Sequence, residues 1–352
     1  MGDNREMPDS ALRVGVIGCG AFGRNHARVY RELAASAPQA IRLTGIADID
    51  FARAQAAAGE FGTGAFRSVE ELIDAGVDAV SVSVPTVAHL AVARELMQRG
   101  VDVLIEKPLA TTVAEADELI ALAGRHGRIA QTGHLERFNP AVRATLPLLT
   151  QPMFFEVHRL SVFTPRSLDV DVVLDLMIHD LDVVLSFVKS PVKEVRAVGL
   201  PILSSKVDIA NVRLEFDSGC VANFTASRVS TERIRKLRFF QPHQYVSLDY
   251  SRQDVLVLSV EEARAEPVEL DPFNPAAVAA SAFPGITPYK PTVEQQEPLR
   301  AELSSFLRAV RERSTPEVTL EDGRRALAAA MQIVDAIAEH SRQARLLELT
   351  QE

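Results

Sequence analysis

A chain of 352 residues, 47% apolar and 24% charged, is too long for one ordinary core and reads as a globular protein of two domains. Its 38 basic against 47 acidic residues give a net charge of -9, which argues against nucleic acid or an anionic membrane surface as the main partner. No run approaches the roughly 18 apolar residues of a membrane span, and two cysteines, Cys19 and Cys220, supply neither a disulfide framework nor metal-ligand spacing. The expectation is a metal-free protein of the reducing cytoplasm. Residues 1–11 lack a signal-peptide apolar segment and read as a loose tail.

Arg13 to Tyr30 (RVGVIGCGAFGRNHARVY) states a strand, a turn and a helix. Val14, Val16 and Ile17 suit a strand buried on both faces of a parallel sheet. Gly18, Gly20 and Gly23 carry the G-x-G-x-x-G spacing, with Ala21 and Phe22 between them. The first glycine permits a tight turn, the second leaves room for a pyrophosphate against backbone, and the third lets the helix pack closely on the strand. The helix N-terminus would face that pyrophosphate. A plain glycine-rich turn is the bland alternative, and the strand and helix on either side count against it.

Ile41 to Ala47 reads as a second strand ending in Asp48, twenty-five residues past Gly23. An acid there accepts hydrogen bonds from an adenosine ribose and repels a 2'-phosphate, favouring NAD over NADP. A helix-capping aspartate, Asp48 or Asp50, is the alternative, and Arg53 leaves a place for a phosphate. Helices over 52–61 and 69–75, a strand over 79–84, a helix over 89–99, a strand over 101–105, a helix over 113–126 and a strand over 129–132 follow. This alternation predicts a doubly wound Rossmann sheet, with ligands beyond the carboxyl ends of its strands. Pro85, Thr86, His89, Glu106 and Lys107 would share that crevice with the glycine turn.

Six of the 38 basic residues are lysines, and Lys107 is the only one before Lys189. A lysine at the end of a strand, in Glu106-Lys107-Pro108, can hold its charge against a developing oxyanion. A surface lysine paired with Glu106 explains the same letters. The first domain is placed at 1–132 and the second at 133–352.

In the second half, 153–160 reads as a strand and 170–188 as a long apolar helix. Asp175 and His179 are four apart on it, sharing one face, with Asp182 three further on. A carboxylate one turn from an imidazole raises its basicity and fixes its tautomer, as a general base requires; a buried histidine satisfied by an aspartate is the structural alternative. Strands at 192–200, 209–216, 220–229, 235–240, 245–250 and 255–260 predict a large open, mainly antiparallel sheet with one polar face. Such a sheet is a common surface for a homodimer or homotetramer, and capping by helices within the chain is the equal alternative. Arg228, Arg233, Arg235, Lys236 and Arg238 form a basic patch, either a solvated strand face or a contact for a substrate phosphate. The proline-rich stretch 261–297 reads as a long functional or partner-embracing loop, and helices over 299–313 and 320–346 finish the chain, the last opened by a Thr319-x-x-Asp322 cap.

GCGAFG at Gly18 to Gly23, EKP at Glu106 to Pro108 and DLMIHDLD at Asp175 to Asp182, in that order, resemble the Gfo/Idh/MocA family of sugar and cyclitol oxidoreductases over essentially the whole chain. The resemblance implies a Rossmann domain plus an α/β domain, a nicotinamide cofactor, and Lys107, Asp175 and His179 as the catalytic trio. GHLERFNPAV and SRVSTERIRKLRFFQPHQYVSLDY are similar to the branch that oxidises the 3-hydroxyl of UDP-N-acetylglucosamine, a step that feeds lipid A type pathways. Many relatives carry Gly-Gly before the catalytic aspartate, where this chain has Val172-Val173-Leu174. Arg137, Asn139, Arg159 and Arg166 are expected sugar or diphosphate contacts, each with a plain surface reading beside it. The alternatives are a dehydrogenase of a free sugar or cyclitol and, in another class, a non-catalytic NAD-sensing regulator.

Overall fold

The computed structural model describes residues 11–37, 40–164, 170–260 and 286–344. The expected tail (residues 1–10 of it), the bulk of the proline-rich stretch (261–285), the end of the last helix and Arg166 lie outside the described residues. The chain divides into two compact units, one running to Leu135 and taking in Glu297–Leu327, the other made of Glu136–Gln296 and the chain from Ala328.

In the first unit, β1 (Leu12–Ile17), β2 (Ile41–Ala47), β3 (Gly64–Phe66), β4 (Ala79–Val82), β5 (Asp102–Glu106) and β6 (Ala130–Gly133) form one parallel sheet in the order β3-β2-β1-β4-β5-β6. That order reverses direction at β1, which puts the crevice beyond the ends of β1 and β4. The helices are α1 (Ala21–Ser36), α2 (Phe51–Phe61), α3 (Val69–Asp74), α4 (His89–Gln98) and α5 (Val113–His126). Their ends follow side-chain chemistry. Asp50, Ser68 and Thr112 each accept the backbone N–H three residues on, and Glu71 and Glu115 return the bond to the N–H of Arg67 and Thr111, satisfying donors the first helical turn leaves without partners.

A division at residue 132 requires one amendment. The helix α8 (Pro298–Glu312) follows the second sheet in sequence, yet its Leu299, Leu303, Phe306, Leu307 and Val310 share a buried cluster with Val14, Val16, Ala27, Tyr30 and Leu104 of the first unit. Ion pairs Arg28–Glu297 and Arg300–Glu32 flank that contact, and Arg313 pairs with Asp102. An apolar stripe at helical spacing shows that a helix is buried on one face, but not which core covers it.

The second unit holds an eight-stranded sheet in the order β14-β13-β12-β11-β7-β10-β9-β8. Its strands are β7 (Phe154–Val162), β8 (Val192–Leu200), β9 (Ile209–Phe216), β10 (Val221–Ser230), β11 (Ile234–Gln241), β12 (Gln244–Asp249), β13 (Asp254–Ser259) and β14 (Thr287–Tyr289). Among the described residues of this sheet only β7 and β10 pair in parallel. Between β7 and β8 the chain winds as a π-helical turn, Val173–Met177, into α7 (Ile178–Val188). One face of the sheet packs on α7 through Phe155, Phe187 and Phe239, whose ring centroids lie 5.7–6.4 Å apart. A short α6 (Pro140–Thr145) is capped by Asn139, and α9 (Leu320–Gln343) opens with the reciprocal Thr319–Asp322 bonds. Expectation and structure differ at β3, α6 and β14. These are three to six residues long, too short for a periodic signal.

Candidate active site

Beyond the ends of β1, β2 and β4 lies a cleft of about 580 Å³ lined by Gly18, Gly20, Asp48, Arg53 and Pro85 among others, a size suited to a cofactor. The three glycines have three distinct reasons. Gly18 has φ +97° and a Cβ there would sit 2.5 Å from the Ser83 carbonyl oxygen. A Cβ on Gly23 would lie 1.8 Å from the Gly18 oxygen, whereas one on Gly20 would meet nothing within 4 Å. Gly18 and Gly23 are thus required by the protein's own packing, and Gly20 keeps open the space beside the N-terminus of α1 where a pyrophosphate would rest.

Asp48 accepts the Cys19 N–H at 2.6 Å and the Asp50 N–H at 2.8 Å, one bond on each carboxylate oxygen. Asp50, not Asp48, caps α2. Asp48 therefore points into the cleft with lone pairs left over for hydroxyl donors. Burial, and then the neighbouring Asp48 charge, push the Cys19 thiol up to about 12, so the turn holds a neutral thiol. Arg53 is exposed and pairs with Asp50 at 3.0 Å. Arg67 lies 3.8 Å over the Phe51 ring and lines the cleft with Ser68 and Val69; sequence reasoning missed this third wall because it follows the three-residue β3.

The other residues expected at the cofactor divide by exposure. Ala21 and Phe22 stand exposed on the first turn of α1, and the half-buried Thr86 opens a 3-10 turn. His89 is buried, with Nδ1 3.1 Å from the Pro108 oxygen and Nε2 3.0 Å from that of Val84; it ties the chain after β4 to the chain after β5. Burial, opposed by these carbonyls, pulls its pKa below the ordinary histidine value. Glu106 is also buried, with Oε1 3.0 Å from His26 Nε2 and Oε2 accepting the Lys107 N–H at 3.3 Å. His89 and Glu106 thus brace the segment that carries Lys107, which is half-buried and precedes a cis peptide bond to Pro108.

In the second unit the polar residues of the π turn and α7 separate by exposure. Asp175, in the π turn, and His179, in the first turn of α7, are half-buried. Asp180 and Asp182 are buried and held by arginines: Asp180 takes the Arg159 guanidinium side-on at 2.6 and 2.9 Å, and Asp182 lies 3.5 Å from Arg137. Arg159 also donates to Glu136 at 3.1 Å and lies over the Tyr250 ring. Burial pushes the Asp180 carboxyl up while Arg159 opposes it.

Two of the expected substrate contacts are buried and engaged within the protein. Arg159 is 3% exposed and engaged with two carboxylates, and Asn139 is 2% exposed, donating to Glu136 and to the Tyr250 carbonyl while capping α6. The residue pattern shows cations near the helix but not which face inward. The basic patch also divides. Arg228 is buried, donating to the Val170 carbonyl, and Lys236 and Arg238 pair with Asp249 and Glu156 at 3.9 and 3.7 Å. No group of three or more metal-ligating side chains occurs among the described residues, and no helix among them is long and apolar enough to cross a membrane.

Residues 12–134 match the NAD-binding Rossmann-fold model of the Gfo/Idh/MocA oxidoreductase family, and residues 151–240 match the family's C-terminal domain. A UDP-N-acetylglucosamine 3-dehydrogenase from Acidithiobacillus ferrooxidans is 36% identical over 93% of this chain and 97% of its own length, and its solved structure superposes with a TM-score of 0.83 over the same shares. The NAD-dependent scyllo-inositol 2-dehydrogenase of Bacillus subtilis is 28% identical over 62% of this chain and 68% of its own. An NAD-binding oxidoreductase from Klebsiella pneumoniae, 20% identical, shares the fold at a TM-score of 0.79 over 94% of this chain and 97% of its own. A glycine turn with Gly20 open, an acid at the end of β2 and a near full-length relative at 36% identity agree on one conclusion: this chain is a member of the Gfo/Idh/MocA family of NAD-dependent oxidoreductases.

Proposed function

We propose that this enzyme oxidises the 3-hydroxyl of UDP-N-acetylglucosamine to a ketone, with NAD as acceptor. The observation that carries this reading is the 36% identity over nearly the full length of both chains, second unit included, to a protein of that activity. The inositol dehydrogenases match about half to two thirds of this chain.

In this scheme His179, half-buried in the first turn of α7, takes the proton of the sugar hydroxyl. Asp175, four residues earlier, orients the imidazole and supports the charge it gains. The Lys107 ammonium stabilises the negative charge that grows on the reacting oxygen, an effect that typically costs a few kcal/mol of barrier when removed. Bound NAD supplies the hydride acceptor, and Gly18, Gly20 and Asp48 would hold its pyrophosphate and ribose. Arg137 and Arg166 remain the assigned sugar contacts. The enzyme is further proposed to be cytoplasmic and to form a homo-oligomer through the face of the eight-stranded sheet opposite α7, and its 3-keto sugar suits later amination toward lipid A type glycolipids.

The test is NADH absorbance with UDP-N-acetylglucosamine, N-acetylglucosamine and myo-inositol as substrates. Lys107→Met and His179→Ala are expected to keep NAD affinity and lose turnover of the nucleotide sugar by about 100-fold or more. Turnover of inositol alone, or undiminished turnover in either variant, would refute the assignment.

A further inference from the structure

The basic run in and around β11 is divided by strand alternation. Lys236 and Arg238 share one face and each has an acid beside it, Asp249 and Glu156. Arg235 lies on the other face, two residues from Leu237 and four from Phe239, which are buried on the side where Phe239 meets Phe187 of α7. Its register partner across the β11–β7 ladder is Arg159. Directly opposed residues of an antiparallel pair project from the same face, with Cα atoms about 5 Å apart.

Two arginines opposed in this way repel unless something separates their fates. Arg159 turns inward and is 3% exposed against Asp180 and Glu136. Arg235 is exposed, and it makes no hydrogen bond or ion pair among the described residues. Asp180, the residue that holds Arg159, is the immediate neighbour of His179. An available guanidinium therefore stands on the same face of the sheet as α7, one ladder spacing from the arginine that anchors the helix carrying the proposed base. A guanidinium offers paired N–H donors that match phosphate oxygens two at a time.

We propose that Arg235 receives the diphosphate of the nucleotide sugar and so selects a nucleotide-linked over a free sugar. The inference rests on the reading that the substrate is a nucleotide sugar and deepens it by naming the cation that recognises the linkage. Arg159 then serves as a positioning residue for α7 and not as a contact.

The experiment measures UDP binding by titration calorimetry, in the presence of NAD, for the full-length enzyme and for Arg235→Gln, Arg235→Lys and Lys236→Gln. Arg235→Gln is expected to weaken UDP by about 10- to 100-fold, the loss typical of a hydrogen bond to a charged group, and to raise the KM for UDP-N-acetylglucosamine similarly, with NAD affinity and Tm kept. Arg235→Lys, which keeps the charge without the fork, is expected to fall between, and it decides the matter should the glutamine variant fold poorly. Lys236→Gln removes the same charge from the opposite face and is expected to keep the wild-type affinity for UDP. Wild-type affinity for UDP in the Arg235 variants would overturn the assignment while leaving the substrate reading intact. A wild-type enzyme that neither binds UDP nor turns over UDP-N-acetylglucosamine would overturn both.

Discussion

Replacing Arg159 by leucine asks whether the buried ion cluster or a bound substrate accounts for this arginine. The side chain places one cation between Asp180 and Glu136, with three donor contacts of 2.6–3.1 Å and almost no exposed surface. Leucine removes the cation and leaves two carboxylates buried at neutral pH. Breaking a buried pair from one side costs about 3–5 kcal/mol, and in a unit of 150–250 residues each kcal/mol moves Tm by about 2–4 °C. A fall on the order of 10 °C is expected, followed by thermal unfolding monitored with far-UV circular dichroism. Burial already pushes Asp180 up, and removing Arg159 takes away the largest opposition to that push, so the variant should recover part of its stability as the pH is lowered from neutral. The double variant Arg159→Leu/Asp180→Leu should be more stable than the single one, because it buries one uncompensated charge fewer. A Tm within about 2 °C of wild type, coupled to a raised KM for the sugar substrate, would refute the reasoning and return Arg159 to the substrate.

The remaining expectations concern the glycine turn and an acid-sensitive loop. Gly23→Ala forces a Cβ to within 1.8 Å of a backbone oxygen and should lower Tm measurably, whereas Gly20→Ala, with nothing within 4 Å, should leave Tm unchanged and weaken NAD in a fluorescence titration; equal effects in both assays would contradict the separate roles assigned to them. Burial pushes the Asp208 carboxyl up, but the Ser204 hydroxyl and the N–H groups of Ile202, Leu203 and Ser204 outweigh it and hold the group below the usual aspartate range. Because the folded pKa is the lower one, its stabilising contribution is complete above the unfolded value of about 4 and fades as pH falls through the folded value. Urea midpoints measured from pH 7 down to pH 3 should therefore drop less steeply in Asp208→Asn, and an identical acid limb would show that the loop does not depend on the charge.

Local chemistry in the sequence determined much of this protein. The β-branched run and spaced glycines of 13–30 required a strand, a tight turn and a closely packed helix, because Gly18 and Gly23 occupy places where any side chain collides with backbone. The caps at Asp50, Thr112 and Thr319 likewise act within four residues, a range over which letters and geometry map directly onto each other. Only the tertiary structure decided which partner a residue meets when that partner is far along the chain. The stripe of α8 states that it is buried, but its assignment to the first core depends on Val14 and Tyr30, nearly 300 residues away. Similarly, Arg159 and Arg235 are alike as letters, and the β7–β11 ladder makes one a buried anchor and leaves the other a cation open to solvent. Burial and charge pairing are properties of the assembled neighbourhood, so which charged residue is buried and paired had to wait for the fold.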